Sequence, residues 1–228
     1  MKLMNFSTVK AAVILSAGLF LSASVSAQDK EQKKIEAATT VLSDFSKMKE
    51  SIPSELLAVT QGIIVVPKLI NAGFVVGGKR GKGLAMVKKA DGTWSNPVFV
   101  TITGGSVGAQ IGVQAVDLIL IFKSSKSLTE IKNSSFTLGG DLSVAAGPVG
   151  RSSTASTDYK LEAEVYSYSR SKGLFAGITL NGASLAVDSQ ANANFYGKTI
   201  SANTIFNASA STSAPVQELK TTLVGMKK

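Results

Sequence analysis

Two stretches of this chain have residue types at a spacing that chemistry could use. Gly104-Gly-Ser-Val-Gly108 has the G-x-S-x-G form in which serine hydrolases present their nucleophile on a sharp strand-to-helix turn. Gly77-Gly-Lys-Arg-Gly-Lys-Gly83 sets the cations Lys79, Arg80 and Lys82 among glycines, a pattern suited to phosphate through backbone N–H groups and point charges. Neither completes a catalytic or nucleotide-binding signature. The 228 residues include no histidine and no cysteine, so the chain has no imidazole base, no thiolate and neither of the commonest soft or borderline metal ligands. A Ser–His–acid triad around Ser106 cannot be built. A Ser–Lys dyad survives that objection, but the glycines and Gln110-Ile-Gly112 read as a bent strand connection. The phosphate-loop pattern needs four residues before a Gly-Lys pair followed by Ser or Thr; here Val76 stands five before Gly81, and Gly83 follows Lys82.

The remaining polar groupings are weaker. Asp188 to Asn194 alternates oxygen-bearing side chains as a calcium loop begins, without the glycine at its sixth position or the closing glutamate. Glu162 and Glu164 share one strand face and read as solvated. Trp94, after the Asp91-Gly92 turn, reads as a packing anchor. The expectation is binding rather than turnover, with no catalytic residue, no cofactor and no metal.

Composition narrows the partner. Lys2 and Lys10 precede the apolar run Ala11–Leu21, and Val25-Ser-Ala27 offers a cleavage site, so residues 1–27 read as a secretory signal and 28–228 as one domain. The run is about half the roughly 20 residues a membrane span needs. With no cysteine to acylate, the expected product is an exported, periplasmic protein, peripheral on a membrane. Net charge is +9, and +7 without Lys2 and Lys10. That balance favours polyanions, among which export makes nucleic acid the least suitable; solubility alone is the other reading of the charge.

The elements that must position these residues follow from periodicity. Ile35, Ala38, Leu42, Phe45, Met48 and Ile52 mark one stripe of a helix over Asp29–Ile52, which either covers a sheet or rests on a membrane surface. A short helix over Ser54–Gln61 follows Pro53. Gly62–Pro67, Gly73–Gly78, Gly83–Lys88, Pro97–Thr103 and Val113–Phe122 read as separate strands, with a glycine-rich turn carrying the basic residues. Lys126–Asn133 is expected as a short helix and Phe136–Gly150 as a strand region. Thr157–Ser169 and Gly173–Leu180 form an expected hairpin. Ala183–Tyr196 reads as helix, Ser201–Ser213 as loop, and a closing helix runs from Ser213 to about Lys227. The fold class is α+β: a single domain with a curved, mostly antiparallel core, barrel-like or sandwich, and helices at both ends. Glycines inside strands point to bends or close backbone approach.

The order of motifs resembles a known family. Ile52-Pro53, Gly62–Pro67, Gly73-Phe74, Gly77-Gly78, Asp91-Gly-Thr-Trp94, Gly105-Ser-Val-Gly108, Gly139–Asp141, Gly147-Pro-Val-Gly150, Tyr166-Ser-Tyr168 and Lys172–Gly177 follow one another as in the SYLF-domain family, from about residue 36 to 196. The resemblance implies a phospholipid-binding module related to a domain of eukaryotic endocytic and actin-patch proteins, with phosphoinositides as the eukaryotic ligands and an amphipathic N-terminal helix at the membrane. It also implies that some relatives bind actin, which an exported bacterial protein would not meet. Lys88 and Lys89 stand where relatives often carry arginine, which removes bidentate phosphate geometry there. The resulting expectation is a binder of anionic phospholipids. Lys79, Arg80, Lys82, Lys88, Lys89 and Arg151 are its headgroup cations, and Leu42, Phe45 and Met48 its apolar anchors. An envelope scaffold binding a protein or glycan is the alternative.

Overall fold

The computed structural model describes residues 28–48, 52–125, 128, 135–147, 163–175, 178 and 180–226. Two long strands, β1 (Gly62–Val87) and β2 (Val98–Phe122), dominate it. They form one antiparallel hairpin, paired from Gly62↔Phe122 to Ala85↔Val98. Strands usually run five or six residues, and the glycines in the sequence suggest separate strands where the hairpin is continuous. Its ladder continues through them, with irregularities between Val66 and Leu69 and between Gly73 and Val75. Pro67, which cannot donate to a ladder, falls at the first. Beside it Lys68 takes φ 50° and turns its N–H to Asp117 Oδ1 at 3.0 Å.

Strands of this length stay paired by bending. The return arm of β1 crosses its own first arm, and glycine is what allows the approach. A Cβ on Gly83 would lie 2.3 Å from the Val65 carbonyl oxygen, and one on Gly81 would lie 2.5 Å from a Val66 methyl. The loop closes where Lys88 N–H donates to Gln61 O and Gln61 N–H donates to Phe122 O. The remaining strands, β3 (Phe136–Leu138), β4 (Val144–Ala146), β5 (Val165–Ser171), β6 (Leu174–Phe175) and β7 (Ala183–Val187), complete a seven-stranded sheet among the described residues. The first half of β2 pairs with β7 and its second half with β5. Among the strands of the described residues, β4 and β5 alone pair in parallel. The curved, mostly antiparallel, barrel-like core expected from the sequence is the observed architecture.

Away from its bend, both faces of the central hairpin are covered, which is why its sequence there runs apolar rather than alternating. Ile64, Val66, Leu118, Leu120 and Phe122 face the interior with Val100, Ile102 and Leu185. Ile63, Val65, Leu84, Met86, Ile119 and Ile121 face outward beneath helices. Helix α1 (residues 28–47) lays Ile35, Ala38, Leu42 and Phe45 on that face, joined by Leu56 and Leu57 of α2 (Ser54–Val59). The closing helix α5 (Ala214–Gly225) adds Val216, Leu219 and Leu223. Trp94 packs in the same layer, as an anchor should.

Two local assignments change. Ala183–Tyr196 is not one helix: β7 ends at Val187, and α3 (Ser189–Tyr196) starts after Asp188, whose carboxylate accepts the Ala191 N–H. Ser201–Ser213 holds a helix, α4 (Ala202–Asn207), capped by Ser201 and anchored by buried Ile205 and Phe206. The expected helix at 126–133 lies outside the described residues except Leu128. On α3, fully buried Asn192 accepts the Phe99 N–H at 2.9 Å and donates at 3.1 Å to Phe99 O, which also accepts the Asp188 N–H at 2.9 Å, so the amide extends the ladder past the end of β7.

Gly83→Ala should lower the unfolding free energy by about 3 kcal/mol, because overpacking meets backbone rather than a yielding side chain. Asn192→Ala, which leaves the buried Phe99 N–H unbonded while Phe99 O keeps the Asp188 N–H, should cost about 2 kcal/mol. Urea denaturation checks both; an unchanged midpoint for either would show that the contact is not limiting.

Candidate functional site

The basic stretch is strand, not turn. Gly77 to Lys82 pair with Ser106 to Thr101, so an extended ladder and not a phosphate-cradling turn fixes their backbone. Gly104–Gly108 is likewise part of β2, not a strand-to-helix turn. Strand alternation then divides the cations. Lys79 points inward opposite Gly104, where burial pushes its pKa down. Arg80 and Lys82 point outward and are exposed.

Lys82 is partly committed. Its ammonium lies 2.7 Å from Asp188 Oδ2, the carboxylate that also caps α3. Burial alone would raise the pKa of Asp188. Hydrogen bonds from Lys82 and the Ala191 N–H, with the charges of Lys82 and Lys34, hold it below the ordinary carboxylate value. Arg80 has no ion pair among the described residues. Arg170 gives the contrast: its guanidinium reaches Asp44 at 2.8 Å and Asp117 at 2.9 Å, clamping α1 to β2. No local pattern announces that clamp, since its partners stand 126 and 53 residues away.

Lys88 and Lys89 are not part of the same surface. Eight residues of strand, roughly 26 Å, separate Arg80 from Lys88, which forms a β-bridge with Trp94. Lys89 donates to Ala208 O at 2.7 Å. Next to it Lys220, which sequence reasoning passed over, donates to Asn96 Oδ1 at 3.0 Å. Burial, and then the charge of Lys89, lowers the Lys220 pKa. These lysines hold the 208–213 loop against the end of the barrel. Arg151 lies outside the described residues.

The apolar anchors are corrected as well. Leu42 and Phe45 are completely buried, and Met48 packs partly buried against the same cluster. The outward face of the hairpin needs cover, and the single apolar stripe of α1 supplies it. In this fold that stripe is not available to a bilayer. The motif glycines of the later chain also serve packing: a Cβ on Gly147 would sit 2.1 Å from the ring of buried Tyr168. Among the described residues no helix is long and apolar enough to cross a membrane, and no three acidic side chains converge where a metal could sit.

Residues 103–226 match the family described as Ysc84, Las17-binding protein actin regulator. The chain is similar to LAS seventeen-binding protein 3 of Saccharomyces cerevisiae, 32% identical over 189 residues, 81% of this chain and 40% of that protein. It is 32% identical over 179 residues to the SH3 domain-containing YSC84-like protein 1 of Xenopus laevis, covering 78% of this chain and 53% of that one. The Bos taurus protein of the same name is 30% identical over 200 residues, 87% of this chain and 58% of the relative. The chain therefore spans between 40% and 58% of the length of these relatives. Ten motifs in order, the curved double-covered hairpin and these matches agree: the chain belongs to the Ysc84, or SYLF-domain, family.

Proposed function

We propose that the protein is a non-enzymatic module that binds anionic phospholipid headgroups at a membrane surface, exported there by its leader. The observation that carries this reading is the state of Arg80, an exposed guanidinium with no carboxylate partner among the described residues. Half-exposed Lys82 lies on the same strand face, two residues away. A planar, permanently charged donor held out from a rigid strand suits a phosphate oxygen pair. The family relationship and the overall positive charge support the same ligand class. A competing reading, docking to a protein, takes its support from the relatives named for binding LAS seventeen.

Co-sedimentation with phosphatidylglycerol-containing and neutral vesicles tests the proposal. Binding should be confined to acidic vesicles and should weaken steeply between low and high salt. At about 1 kcal/mol per cation, Arg80→Gln should weaken it roughly fivefold. Lys88→Gln, at the other end of the barrel, should change it little. Salt-insensitive binding, or none to either vesicle, would overturn the lipid reading and favour the protein partner.

A further inference from the structure

We propose that the protein meets an acidic bilayer end-on, through the bend of its long β-hairpin and an adjacent short hairpin end, whose apolar side chains enter the headgroup region while neighbouring lysines meet the phosphates. The inference rests on the lipid reading above and names the surface that reading requires. The first of these is the bend of the β1–β2 hairpin, where the ladder is irregular between Gly73 and Val75. Ile70 lies opposite Ala115 and Ala72 opposite Val113, and alternation puts these four on one face. Val113 is 75% and Ile70 42% exposed, although both faces of the same strands are covered a few residues further on.

The second end belongs to β5 and β6. It turns at Lys172 and Gly173, with φ 50° and 82°, and carries Leu174 at 74% exposure. Ser171 Oγ donates to Ala115 O at 3.3 Å, which fastens this end beside the first. Aliphatic side chains so exposed at a bend and a hairpin end held side by side mark an interaction surface rather than ordinary scatter.

Charge selects the occupant. Lys68 and Lys172 are exposed next to the apolar positions, and exposed Lys47 lies one turn beyond Asp44 on α1. The carboxylates bordering this end, Asp44 and Asp117, are both held by Arg170. Aliphatic tips edged by lysines, with nearby acids already neutralised, fit the boundary between acyl chains and anionic headgroups. Arg80 belongs to this end too: it stands three residues from Gly77, whose Cβ position falls 2.1 Å from Ala72 O.

The chain has no cysteine, so one introduced thiol gives one labelling site. Val113→Cys, Leu174→Cys and Val59→Cys, each carrying an environment-sensitive fluorophore, are mixed with phosphatidylglycerol/phosphatidylcholine vesicles at low salt. Val59 is 45% exposed at the base of the barrel, and serves as the distant control. Labels at 113 and 174 should shift to the blue and lose severalfold in aqueous quenching on binding, while the label at 59 stays unchanged. The double variant Val113→Asp/Leu174→Asp should melt like the parent, since both positions are exposed, and lose on the order of tenfold in vesicle affinity. Vesicle binding with both labels still aqueous, or full affinity in the Asp variant, would overturn the hairpin assignment and leave the lipid reading standing. A parent chain that binds no vesicle would overturn both.

Discussion

The architecture depends on the approach of β1 to itself at Gly81 and Gly83. A 26-residue strand paired along its length with a 25-residue partner makes a ribbon too long for one flat layer of a domain this size. Folding the ribbon over brings backbone against backbone, and only residues without Cβ atoms let Val65 and Val66 come so close. From that crossing follow the enclosed interior lined by Ile64, Val66, Leu118 and Leu120, and an outer apolar face that must be roofed. Helices α1, α2 and α5 form the roof.

Roofing explains the fate of the N-terminal helix. An amphipathic stripe of Ile35, Leu42 and Phe45 looks the same in sequence whether it covers a sheet or lies on lipid, because periodicity reports one apolar face and not its neighbour. The decision rests on Ile63, Val65, Ile119 and Ile121, which would otherwise face water. The same limit applies to charge. Lys79, Arg80 and Lys82 are neighbours in the chain, yet strand alternation sends Lys79 inside and its companions out. Lys89 and Lys220, 131 positions apart, end side by side. No sequence window contains both.

Much of the fold was readable nonetheless. Helices at the two ends, an antiparallel middle, the Asp91-Gly92 turn and the anchoring role of Trp94 all follow from pattern and turn chemistry. What misled was glycine. In Gly73–Gly83 it reads as punctuation, because in most strands it weakens the ladder; here it marks where chain passes against chain, and the ladder continues. Ser201 illustrates the opposite error. Among serines, alanines and asparagines it looks like loop, while its hydroxyl caps a helix that buries Ile205 and Phe206. Exposed Val113 and Leu174 were invisible for a related reason, since only the tertiary structure shows which apolar residues remain uncovered.

The central position of β2 also sets an order of assembly. Its first partner, β1, is joined to it by a short turn, so that pairing closes a small loop and needs little chain entropy. Its other edge stays open until β5 and β7 arrive, 53 and 83 residues downstream at the pairs Asp117↔Arg170 and Ile102↔Leu185. Contacts of such separation form slowly. Through that interval the nascent domain is a bent hairpin with one unpaired edge of β2, the segment most able to join another chain. Completion of the barrel is therefore also the step that ends its exposure to self-association.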